Sequence, residues 1–276
     1  LPVLLAIPLA SGCQSEAKKH LYKAEDLFEK RDLDGAKKEL ELSIKADPNN
    51  LDAHKSLAHI DEALGDQEGA AKEYMAASTL DPTDQKLLDK ARLYKQLEDL
   101  ANSSGKALDD IKAGNVDQGV GTLKEIITTT RIPAAREKAV KALADAIPII
   151  EKLGDQQVAD KKYADAVDTY DKGVRAAMLL ARAHRQDTLG PEADPMMHKI
   201  NQAAKLAGTP DTTFKLFNDV IGDYPDDKVA NMELAQVYLS KTPPDYTTAA
   251  DLEERAGAPD DQVRKLRDEA KKHRKK

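Results

Sequence analysis

Residues 51–84 read LDAHKSLAHIDEALGDQEGAAKEYMAASTLDPTD. Gly65 and Asp66 end one helix and cap the next. Pro82 cannot continue the helix it follows and fixes the turn that leads out of it. The same landmarks stand one period earlier: Ala24, Ala36, Asp47 and Pro48 recur 34 residues on as Ala58, Ala70, Asp81 and Pro82. The run Ile44-Lys45-Ala46-Asp47-Pro48-Asn49-Asn50 likewise answers to Ser78-Thr79-Leu80-Asp81-Pro82-Thr83-Asp84. A period of 34 with small residues at fixed places means a repeated helical hairpin.

The pattern resembles the tetratricopeptide repeat, whose two antiparallel helices pack closely because small side chains sit at their crossing. In residues 51–84, Leu57-Ala58 form the large-small pair of the first helix and Leu64-Gly65-Asp66 the turn. Ala70 and Tyr74 give the contact face of the second helix, Ala77 its later small position, and Asp81-Pro82 the stop. Residues 17–50 match through Ala24, Leu27, Asp32, Leu33, Ala36, Leu40, Ile44 and Pro48. There Arg31 stands where a turn glycine is usual, and His20 where a large aromatic is usual.

Beyond this two-repeat block, 17–84, the pattern degrades over 85–146. Residues 85–113 read as one longer helix, with an interruption expected at Asn102-Ser103-Ser104-Gly105. Gly114-Asn115 turn into Val116–Thr129, where Leu123, Ile126 and Ile127 share a face. An Ala-rich helix covers 134–146, and Pro148 is expected to break or kink the chain. The motif returns over 147–258: Leu153-Gly154, Tyr163, Ala166 and Tyr170, with that second helix extending through Arg185. After a loop with Gly190, Pro191 and Pro195 come Ile200, Gly208, Phe214, Phe217, Val220, Ile221 and the stop Tyr224-Pro225. The last repeat holds Leu234-Ala235, Tyr238, Tyr246, Ala249 and Ala256, with Pro243-Pro244 as an insertion in its turn. Residues 259–276 read as a basic capping helix. The expected fold is all-α, an α-solenoid of about six hairpins stacked as a tetratricopeptide-like superhelix.

The single cysteine excludes an internal disulfide and a cysteine-based zinc site. It sits at the one junction between an apolar stretch, residues 1–12 (LPVLLAIPLASG), and the polar run Gln14-Ser15-Glu16-Ala17-Lys18-Lys19. Roughly 20 apolar residues are needed to span a bilayer, so residues 1–12 fit a truncated signal peptide instead. Leu9-Ala10-Ser11-Gly12-Cys13 resembles the lipobox of bacterial lipoproteins, although the usual leucine is displaced by one residue. The resemblance implies cleavage before Cys13, lipidation of Cys13, and 13–16 as a lipidated N-terminus and linker. It places the chain in the bacterial cell envelope, facing the periplasm from a lipid anchor, with the outer membrane favoured over the inner. The other reading is an incidental apolar start on a regulatory repeat protein without lipid.

Forty-two Lys and Arg against 49 Asp and Glu give a net charge of −7, which argues against a general nucleic-acid binder. Aromatics are only 4% of the chain, with no Trp, which argues against a strand-built core and against carbohydrate stacking. No nucleophile-elbow, phosphate-loop or dinucleotide motif occurs. The six histidines lack metal-pair spacing, His54 and His59 being five apart. No enzymatic activity, cofactor or metal is expected. Residues 262–276 carry eight Lys or Arg and two acids, +6, leaving −13 for the rest. This end is either an anionic-surface contact or a solvated cap whose cations favour the helix C-terminus.

In the repeat family the concave wall is lined by first helices. The resemblance thus implies Leu21, Glu25 and Phe28 in the first repeat, and Lys55, His59 and Glu62 in the second, as groove residues. Phe28 serves either as an apolar anchor for a partner or as core packing. Leu21 and Glu25 stand where chaperone-binding members carry Lys and Asn, which argues against a carboxylate clamp. The functional expectation is a membrane-tethered protein-interaction adaptor in envelope complex assembly, of the exopolysaccharide and protein-sorting or the pilus and secretin kind. A periplasmic peptide- or glycan-binding module is the alternative.

Overall fold

The structure is a computed structural model that describes the backbone over 10–273 and the side chains over 16–273. Residues 1–9, most of the expected signal peptide, and the last three basic residues, 274–276, lie outside the described residues. Among the described residues the chain forms thirteen α-helices, one 3₁₀ turn and no strand. The class is all-α, built from tetratricopeptide-like hairpins, and the chain divides into two compact units at Leu100 and Ala101.

The first unit holds α1 (Ala10–Glu29), α2 (Leu33–Ala46), α3 (Leu51–Leu64), α4 (Gln67–Leu80) and the N-terminal part of α5 (Gln85–Lys112). Helices α2, α3 and α4 start where an acidic or amide side chain takes a free backbone N–H. Asp32 accepts from the Gly35 amide at 2.9 Å, Asn50 from Ala53 at 3.2 Å, and Asp66 from Gly69 at 2.9 Å. The hairpins pack as α1 on α2 and α3 on α4. One core cluster joins Leu21, Ala24, Ala36, Leu40, Ala53, Leu57 and Ile60; a second joins Ala58, Ala70, Tyr74, Ala77, Leu87 and Ala91. The alanines at the crossings are covered, and they let the helices approach closely.

The second unit holds the rest of α5, then α6 (Val116–Thr129), α7 (Pro133–Ala159), α8 (Tyr163–Ala183), α9 (Asp194–Ala207) and the 3₁₀ turn Pro210–Thr213. It ends with α10 (Phe214–Asp223), α11 (Lys228–Ser240), α12 (Tyr246–Ala256) and α13 (Asp260–His273). A Cβ on Gly154 would come within 2.4 Å of the Tyr170 ring. That glycine is therefore what lets α7 seat the ring of α8.

Three local expectations are corrected. α5 runs without interruption through Asn102–Gly105, with Ser104 buried and Ala107 covered. α7 continues through Pro148 without a break, the kinked alternative being the one compatible with a continuous helix, so the division between 85–146 and 147–258 falls inside a helix. Pro148 is exposed, while Ala139, Leu143, Ala146, Ile147 and Ile150 on the other face are buried. Burial of those side chains, about 1.5–3 kcal/mol for each large one, outweighs the roughly 3 kcal/mol that an interior proline costs. Finally, residues 13–16 lie within α1, so their backbone is helical where a linker was expected.

Candidate functional site

α1, α2 and α3 enclose a cleft of about 290 Å³. Ala24, Glu25, Phe28 and Glu29 of α1, Leu40 of α2, and Ser56, His59 and Ile60 of α3 line it. Its floor is apolar and buried: Leu40 is 1% exposed, and Ala24 and Ile60 each 2%. Its rim is open, since Phe28 is 52% exposed and Glu25, Glu29 and His59 are exposed as well. The His59 ring meets Tyr74 edge-on at 5.9 Å, which holds it at the mouth of the cleft.

Shifting these positions by one repeat leads to Ala58, His59, Glu62, Ala63, Tyr74, Lys90, Leu93 and Tyr94. There the molecule fills the equivalent space itself. Tyr74 and Tyr94 stack at 5.4 Å, and the Lys90 ammonium lies 5.5 Å and 5.9 Å from their ring centres. Glu62 gathers the polar ends, accepting from the Tyr74 hydroxyl at 2.7 Å, the Tyr94 hydroxyl at 2.5 Å and the Lys90 ammonium at 2.5 Å. Burial pushes the Glu62 carboxyl up, but the three donors outweigh it and hold the group down at about 2. Burial and the bond to Glu62 push both tyrosines up. The second unit has a related arrangement, in which the Tyr170 hydroxyl donates to Asp155 at 2.7 Å and Lys199 donates to the same carboxylate at 2.8 Å.

A second periodic feature fastens both hairpins. His20 Nδ1 lies 2.7 Å from Glu39, and one repeat on His54 Nδ1 lies 2.5 Å from Glu73. The inner pair is the more buried, and His54 Nε2 also reaches the Pro48 carbonyl at 3.0 Å. The bond to Glu73 holds His54 above the usual histidine range. Burial pushes Glu73 up, but the bond from His54 outweighs it, so the carboxyl sits below its usual range.

The structure therefore separates the residues expected to line a groove. Glu25, Phe28 and His59 line the cleft. Phe28 is half exposed at the cleft rim and not core packing, whereas its counterpart in the next repeat, Glu62, sits among Tyr74, Tyr94 and Lys90. Leu21 turns into the first core cluster. Lys55 is paired with Asp84 at 3.3 Å, and Glu62 is saturated by its three donors. Sequence reading missed Ala24, Glu29, Leu40, Ser56 and Ile60, although translating Lys90 and Tyr94 back by one repeat would have found Ser56 and Ile60. Cys13 lies on the backbone of α1, and its side chain is outside the described part.

In the basic C-terminal segment, Arg267 pairs with Glu254 at 2.7 Å, Lys265 with Asp261 at 3.3 Å, Lys271 with Asp268 at 3.0 Å and Lys272 with Glu269 at 2.6 Å. Exposed pairs of this kind stabilise little, and they give four of the segment's eight Lys and Arg an acidic partner. Among the described residues no group of three or more His, Cys, Asp or Glu could hold a metal ion, and no helix is long and apolar enough to cross a membrane.

Neither a family model nor a curated protein matches the chain. Among solved structures, the tetratricopeptide domain of P58(IPK) is 16% identical with a TM-score of 0.32, over 94% of this chain and 65% of that one, so the chain spans less than two thirds of that length. The TPR2AB domain of yeast Sti1, in complex with pHSP90, is 14% identical with a TM-score of 0.32, over 93% of this chain and 99% of that one. Pseudomonas aeruginosa pilF is 12% identical with a TM-score of 0.26, over 92% and 82%. The chain's class rests on its own hairpins: an all-α fold of tetratricopeptide-like helical hairpins.

Proposed function

We propose that the chain is a non-catalytic protein-interaction scaffold that holds a partner segment in the α1–α3 cleft. The observation that carries this is the contrast between two equivalent spaces. One is closed by Tyr74, Glu62, Lys90 and Tyr94; the other has a buried apolar floor and a half-exposed Phe28 at its rim. An apolar floor under an open aromatic is what an anchor side chain of a partner fills. The sequence at Leu9–Cys13 supports a finer reading, an envelope adaptor tethered by lipid on Cys13 and facing the periplasm.

Two experiments test these readings separately. A photoreactive amino acid at position 28 should crosslink one discrete protein in cells, whereas the same group at the exposed Leu206 should not. Identical products from both positions would defeat the cleft as the binding site. For the tether, a palmitate analogue fed to bacteria making the full-length protein should label wild type and leave Cys13→Ala unlabelled. Label retained in that variant would end the lipoprotein reading and leave the cleft untouched.

A further inference from the structure

Taking the cleft as the binding site, we propose that its occupant is a helical segment of another protein that carries a lysine or arginine and, one turn further on, a large apolar or aromatic side chain. The template is internal. One repeat on, the same space is filled by Lys90 and Tyr94, four residues apart on α5, with the ammonium against a carboxylate and beside two rings. The residues that replace them at the first cleft are Ser56 and Ile60. Neither brings a charge or a ring, so the space stays open.

The walls ask for a cation. Glu25 and Glu29 flank Phe28 on the rim, and the lysines near them are committed elsewhere. Lys23 pairs with Glu39 at 2.6 Å, Lys30 with Asp26 at 2.6 Å, and Lys55 with Asp84 at 3.3 Å. The unit as a whole, residues 1–100, has 14 Lys and Arg against 20 Asp and Glu, a formal −6. A basic segment is drawn toward such a surface, and a terminal carboxylate is repelled by it. The exposed ring face of Phe28 adds a place for the ammonium or guanidinium, and the Leu40 floor accepts the apolar side chain, in the manner of a helix laid in a groove.

The test uses the full chain and three fluorescent, alanine-based helical peptides with both ends blocked. The first carries Lys and, four residues later, Tyr; the second has Glu for the Lys; the third has Ala for the Tyr. Fluorescence anisotropy should show the Lys–Tyr peptide binding about tenfold tighter than either counterpart, with affinity falling as salt rises. The double variant Glu25→Gln/Glu29→Gln and the single variants Phe28→Ala and Ser56→Lys, all at partly or fully exposed positions, should each weaken it by about fivefold or more. Circular dichroism melts check that each variant is folded.

Equal binding of the Glu peptide with dependence on Phe28 retained would overturn the cation preference and leave the cleft as the binding site. Binding indifferent to both Phe28→Ala and Ser56→Lys would overturn the cleft too. No binding of the Lys–Tyr peptide at millimolar concentration would overturn the proposal outright. A dimer seen by sedimentation that dissociates in the Glu25→Gln/Glu29→Gln variant would seat a second copy in the cleft and remove the external segment.

Discussion

The hairpin α1–α2 and the hairpin α3–α4 share their landmarks one repeat apart, yet one leaves a cleft and the other closes it. The capping aspartates Asp32 and Asp66, the crossing alanines Ala24 and Ala58, and the pairs His20–Glu39 and His54–Glu73 are the same in kind. What differs is a few side chains: Leu40 against Tyr74, Phe28 against Glu62, and Ser56 against Lys90. Backbone periodicity sets where a groove lies, and these substitutions decide whether the chain or a partner fills it.

The largest effect comes from removing the plug. Tyr74 is 1% exposed, stacks on Tyr94 and satisfies Glu62. Tyr74→Ala should cost about 3–5 kcal/mol, the range for truncating a buried aromatic, with Glu62 left one donor short in addition. A urea melt of the variant checks this. A loss below about 1 kcal/mol, outside that range, would mean that the second space is not closed in solution, and the contrast between the hairpins would fail.

The histidine pairs separate the hairpins by pH. His54 is raised and Glu73 lowered by the same contact. The histidine's contribution is complete below its unfolded value of about 6.5 and is lost as the pH rises through the raised folded value. The carboxylate's contribution is complete above about pH 4.3 and is lost as the pH falls through the depressed one. Stability from this pair is therefore greatest between those limits. His54→Gln should lower it there by about 1.5–3 kcal/mol, the worth of a hydrogen bond to a charged group, and flatten the decline toward alkaline pH. His20→Gln should do less, because Lys23 also holds Glu39, at 2.6 Å, and lowers its carboxyl. Thermal melts of both variants from about pH 5 to about pH 9, a span that brackets the histidine titration, read the difference directly.

The turns are where sequence and structure part most instructively. Gly65 at φ +77° and Arg31 at φ +62° occupy the same turn of successive repeats, and Lys161 and Arg185 take left-handed φ as well. The repeat is plain at Gly65 because a glycine marks a left-handed residue. At Arg31, which only the 34-residue period sets at the turn-glycine position, the packing of α1 on α2 imposes that conformation on a residue that disfavours it. Pro148 is the reverse case, a break signal overruled because Ile147 and Ile150 beside it are buried. The cleft was half legible for a related reason. The resemblance to the repeat family marks Glu25, Phe28 and His59, but an empty space is defined by small residues such as Ser56, whose meaning emerges only against Lys90. Exchanging the turns tests the imposed strain: Gly65→Ala should cost about 1–2 kcal/mol and Arg31→Gly should recover up to a similar amount, measured as opposite shifts of the urea midpoint.

The smallest expected change in stability belongs to the residue with the largest expected role in binding. Phe28→Ala removes a ring that is 52% exposed, and surface truncations of this kind fall within about 0.5 kcal/mol. Set beside Tyr74→Ala, this gives two aromatic deletions in neighbouring repeats, one felt in folding and the other in partner capture. If Phe28→Ala instead approached the roughly 3–5 kcal/mol of a buried-ring truncation, the ring would be core in solution and the first space would be closed like the second. Glu25 and Glu29 would then be ordinary solvated acids. A near-silent melt with a lost position-28 contact is the pattern that belongs to an open cleft, because a side chain that folding leaves uncovered has its apolar surface still available to a partner.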